Sequence, residues 1–111
     1  MDKKIIRYNK LVRDKVIAKL VRLGIYHTSH VANNLELEEK LLNKFPEEIT
    51  EFIDSKGSIE EYVDVKHVME AWAKYKGWTP EYIEQKSQEK LDKEGGFKDR
   101  IILDECEEKS P

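Results

Sequence analysis

The chain has a single cysteine, Cys106, in a polar tail. That excludes an internal disulfide framework and fits a reducing compartment. No apolar run is long enough for a membrane span, and the start has no charged-then-apolar leader, so a cytoplasmic protein without a membrane partner is expected. No excess of one charge sign exists either: 20 basic residues stand against 23 acidic ones, leaving −3 and no basic stripe for a nucleic-acid polymer. Solenoid-type repeats are missing. The phosphate-cradling GxxxxGK[ST] and GxGxxG loops are also missing, and no serine sits in a nucleophile-elbow context.

What is present is helical spacing. At 111 residues the length suits one domain, expected over 1–103 with a polar tail over 104–111. Leu11, Val12, Val16, Leu20 and Leu23, followed by Gly24, predict a first helix. Leu37, Leu41, Phe45, Ile49 and Phe52 form the stripe of a second helix, in which Pro46 predicts a kink or a fresh start. Ser58 with Glu61 matches a capping box for a third helix, carrying Ile59, Tyr62, Val65, Met69 and Trp72 and ending at Gly77. Thr79 and Pro80 open a fourth helix, which the glycines of "EGG" close. Short strands are expected near 26–32 and 100–103, on β-branched and aromatic content. The expectation is a mainly all-α bundle of about four helices.

The second and third helices also carry acids at a repeated spacing. In "FPEEITEFIDSKGSIEEYVDVKHV", Glu48 and Glu51 are three apart, as are Glu61 and Asp64. Residues three or four apart share a helical face, so these carboxylates border the apolar stripe. A carboxylate there is costly unless a cation offsets it. One such pair is more often ordinary solvated surface. Two pairs on neighbouring helices point to a divalent cation, and oxygen ligands select Mg²⁺ first and Mn²⁺ second. His27 and His30 read as surface residues, and His67 falls about one turn after Asp64.

Mg²⁺ on a few carboxylates keeps water and binds phosphates, which also need cationic side chains. Lys10, Arg13 and Lys15 near the start, and Lys90, Lys93 and Arg100 near the end, are the candidates. A metal-activated water is a simpler nucleophile here than any serine or cysteine.

"EEITEF" followed by "EEYVDV" resembles the ExxE…ExxD pattern of the all-α, MazG-like nucleoside triphosphate pyrophosphohydrolases. "YNKLVRDK" and "GGFKDRIIL" resemble the short, phosphoribosyl-ATP pyrophosphohydrolase-like members, in the same order along nearly the whole chain. The resemblance implies hydrolysis of a nucleotide between its α and β phosphates, giving a monophosphate and pyrophosphate. It implies Mg²⁺ on Glu48, Glu51, Glu61 and Asp64, and phosphates held by residues among Lys10, Arg13, Lys15, Lys90 and Arg100. It also implies a homodimer or homotetramer. Glu47 and Glu51 are both candidates for the general base. The lone domain leans toward a house-cleaning enzyme. Two departures stand out: His67 replaces the acid of "DVxEV", and Pro46 precedes the first acidic pair. They leave open a second reading, a helical nucleotide-binding or oligomeric interaction protein with weak or no turnover.

Overall fold

In the computed structural model, residues 4–108 are described. The expected tail is therefore covered over 104–108, while its last three residues lie outside the described part. Four helices form: α1 (Val16–Arg22), α2 (Asn34–Asp54), α3 (Ile59–Lys76) and α4 (Pro80–Glu94). The protein is all-α. No helix among the described residues is long and apolar enough to cross a membrane.

Neither expected strand forms. Segments 26–32 and 100–103 have no ladder partner among the described residues, and β-branched content alone does not make a strand without one. In the second segment, Arg100 takes a left-handed backbone (φ 59°). Its N–H closes a turn onto the Phe97 carbonyl at 3.1 Å.

The first helix is shorter than its apolar spacing suggests. It begins at Val16, and its N-cap Lys15 supplies no side-chain cap. Asn9, just upstream, has φ 46° and turns the chain away from helical geometry. The stretch carrying Lys10 and Arg13 is thus irregular, and its long side chains reach other helices.

The remaining helices begin and end where local chemistry dictates. The Asn33 side chain accepts from Glu36 N–H at 2.9 Å and caps α2. Ser58 Oγ accepts from Glu61 N–H at 3.3 Å to open α3, and Gly77, at φ 77°, closes it in the left-handed conformation. Thr79 Oγ1 accepts from Tyr82 N–H at 3.1 Å, with Pro80 in the first turn of α4. Pro46 starts no new helix; α2 runs through it. Its missing N–H deprives the Leu42 carbonyl of its helical partner, at a residue 48% exposed.

The chain divides into two compact units, one ending at Gly77 and the other beginning at Trp78. In the first, α2 and α3 pack on each other. Phe52 meets Tyr62 and Phe45 meets Trp72, each with ring centroids 6.4 Å apart. Pairs that lie farther from the 55–58 turn as their sequence separation grows define an antiparallel hairpin. Leu41 and Ala73 are its buried apolar residues. The expected α3 stripe is only partly covered: Val65 and Trp72 are part-buried, whereas Ile59 (67%), Tyr62 (57%) and Met69 (58%) stay largely exposed. The second unit consists of α4 and the segment after it. Along α4, Lys90 pairs with Glu94 at 2.6 Å and Gln88 with Asp92 at 2.8 Å, one turn apart.

Candidate metal centre

Helical spacing sets Glu48 and Glu51 on one face of α2, and Glu61 and Asp64 on one face of α3. The antiparallel hairpin brings the two faces together. One carboxylate oxygen from each of the four residues lies within 4.8 Å of every other. Four like charges at that range repel strongly unless protonated or neutralised.

The cluster is unevenly buried. Glu48's side chain is only 13% exposed, and its Oε1 lies 3.8 Å from Lys44 Nζ. Its Oε2 is buried without a hydrogen-bond partner, as is Glu61 Oε2. Glu51 is exposed. A buried carboxylate oxygen without a donor is costly, and a hard cation among the four carboxylates would offset charge on both residues that carry one. The donor set is all oxygen, which fits Mg²⁺ or Mn²⁺ chemically.

The electrostatics follow from this crowding. Burial pushes the Glu48 carboxyl above the ordinary glutamate value; the negative charge of Glu51 and then of Asp64 adds to the shift, while Lys44 opposes it. Burial is likewise the leading cause for Glu61, followed by the charges of Glu51 and Asp64. A carboxyl whose folded pKa is raised holds its proton more tightly in the native state. It therefore favours folding at low pH, and that contribution is lost as pH rises through the folded value. We expect Glu48→Gln to raise Tm at pH 7.5 in EDTA, with the gain disappearing below pH 4.5, the ordinary value for the group. Paired thermal melts at the two pH values check this; a lower Tm for the variant at pH 7.5 would contradict it.

Three cationic side chains touch this face. Lys44, which sequence reasoning passed over, approaches Glu47 at 3.6 Å as well as Glu48; its signal was the i,i+4 spacing to Glu48. Lys10 Nζ donates to Glu47 Oε1 at 2.9 Å. That bond holds the Glu47 carboxyl below the ordinary glutamate range and raises the Lys10 ammonium. Arg13 Nη2 donates to Asp64 Oδ1 at 2.6 Å, and its Nη1 donates to His67 Nδ1 at 3.0 Å. A guanidinium only donates, so Nδ1 accepts and the neutral ring carries its proton on Nε2. No spacing rule links Arg13 to residues more than fifty positions away, and sequence reasoning missed the Arg13–His67 contact.

The structure thus gathers Glu48, Glu51, Glu61 and Asp64, with Glu47 just outside them on lysines. It brings Lys10 and Arg13 onto the same face. Lys15 is exposed at the start of α1. Lys90 and Arg100 belong to the second unit, Lys90 in its ion pair on α4 and Arg100 in the turn after Phe97. His30 pairs with Glu36 at 2.8 Å and His27 with the Ile25 carbonyl at 2.9 Å, apart from the acids. No family model, no curated protein and no solved structure matches this chain.

Proposed function

We propose that the protein hydrolyses a nucleoside triphosphate, or a related nucleotide, between the α and β phosphates in a Mg²⁺-dependent reaction, releasing a monophosphate and pyrophosphate. One observation carries the reading: four carboxylates converge within 4.8 Å, and two of them keep a buried oxygen with no partner. Such a group suits a hard divalent ion, and ions held this way serve phosphate chemistry. The MazG-like order of motifs supports the choice of nucleotide and of bond.

In this reading Glu48, Glu51, Glu61 and Asp64 hold the ion. Bound there, Mg²⁺ would supply charge that polarises phosphoryl oxygens. Glu47 and Glu51 are the two candidate bases for the proton of the attacking water. Lys10 favours the charged form of Glu47, and an ion held by Glu51 would do the same there. Lys10, Arg13 and Lys15 offset the charge of the leaving pyrophosphate.

Exposed Ile59, Tyr62 and Met69 on the hairpin support assembly into a homodimer or homotetramer. Mn²⁺ would substitute for Mg²⁺. A cytoplasmic, house-cleaning setting accords with the composition. A second reading, nucleotide binding with little turnover, draws on His67, which stands where the resemblance expects an acid and instead accepts from Arg13.

Pyrophosphate release from a panel of ribo- and deoxyribonucleoside triphosphates separates the two. The hydrolase reading expects release with Mg²⁺ that EDTA abolishes. Nucleotide-induced stabilisation without any release would favour the binding reading.

A further inference from the structure

We propose that the irregular segment carrying Lys10 and Arg13 is a cationic strap across the acid cluster, one that a divalent ion displaces from Asp64 as it binds. This rests on the metal reading above and adds a regulation to that site.

The strap is anchored on both helices of the hairpin. Lys10 grips Glu47 on α2 at 2.9 Å. Three residues on, Arg13 grips Asp64 on α3 at 2.6 Å and His67 one turn later at 3.0 Å. These are contacts across 37, 51 and 54 positions of sequence, made from a stretch with no helix of its own. Arg13 is the cationic partner of Asp64, and Lys44 that of Glu48. Without an ion, the guanidinium serves as Asp64's counter-charge.

The two cations compete for the charge of Asp64, of which Arg13 engages one oxygen, Oδ1. A divalent ion among the four carboxylates repels a guanidinium bonded to one of them, and each draws on the same carboxylate charge. The ion holds several carboxylates and Arg13 only one, so the ion wins once its concentration suffices. Release is inexpensive because Arg13's side chain is 58% exposed and Lys10's 43%; exposed ion pairs contribute little. The freed guanidinium remains beside the site, where a phosphate is its natural next partner. The order that results is metal first, then nucleotide.

The test compares uptake of Mn²⁺, read from the EPR signal of the free ion, by the full chain and two variants. Arg13→Gln removes the strap's grip on Asp64. Lys19→Gln removes one exposed charge from the neighbouring α1. The proposal expects Arg13→Gln to bind Mn²⁺ about threefold tighter than wild type, the scale of an exposed ion pair, and Lys19→Gln to match wild type. It also expects the Arg13 Nε–H NMR signal to move to the position of a free arginine as Mg²⁺ saturates the wild-type protein. Uptake that is equal in wild type and Arg13→Gln, or equally tightened in both variants, would overturn the strap while leaving the metal site standing. An Arg13 signal unmoved at saturation would do the same. No Mn²⁺ uptake by any of the three would overturn the metal reading and the strap with it.

Discussion

Asp64→Asn is expected to lower Mg²⁺-dependent kcat/KM for pyrophosphate release by at least about 100-fold, the scale of losing one preorganised charged group at a reacting centre. The substitution keeps the shape of the side chain and removes its charge. Asp64 belongs to the cluster in which four carboxylate oxygens lie within 4.8 Å of each other, so the variant leaves three charged ligands in place of four. The fold should survive. Asp64 is partly exposed and its bond to Arg13 is an exposed ion pair, worth roughly 0.2–1 kcal/mol. Removing its charge also relieves part of the repulsion that adds to burial in raising the carboxyls of Glu48 and Glu61. Unchanged helical circular dichroism with lost turnover is the expected pair of results. Full activity in the variant would place Asp64 outside the site.

Leu41→Ala is expected to destabilise the hairpin by about 3 kcal/mol, within the usual range for truncating a buried leucine. Leu41 is 2% exposed and is the largest fully buried side chain among the described residues. Beside it, Ala73 at 9% is the only other buried apolar residue among the described ones, so little else there can close around the void. A domain of this size has a modest margin of stability, and a loss of that order removes a large part of it. Chemical denaturation of the two proteins reads the difference directly. A loss below about 1 kcal/mol would mean that the core lies elsewhere, for instance in an interface formed by the exposed faces of α3.

The all-α architecture was legible because helical spacing and helix termini point the same way. Ser58, Thr79 and Gly77 each do in the fold what their chemistry suggests in the chain. The acidic pairs were legible for the same reason: a spacing of three fixes a shared face, and the short loop at 55–58 turns one face toward the other. Other features depend on tertiary surroundings that spacing does not report. Leu11 and Val12 fit a helical stripe, yet Asn9's positive φ and the uncapped Lys15 leave them outside α1. Segments 26–32 and 100–103 have strand-like residues but no ladder to join. Ile59, Tyr62 and Met69 sit at stripe positions, and nothing in a single sequence says whether a stripe is covered. The bond from Arg13 to Asp64 and His67 is a long-range pairing of charges on an irregular segment, invisible to any periodicity.

The measurement that bears most directly on the account is an anomalous difference map from crystals of the full chain soaked in Mn²⁺. The account predicts a peak within coordination distance of the carboxylates of Glu48, Glu51, Glu61 and Asp64, with the Arg13 side chain withdrawn from Asp64. A fully soaked crystal with no peak among those four residues, and Arg13 still bonded to Asp64, would contradict it.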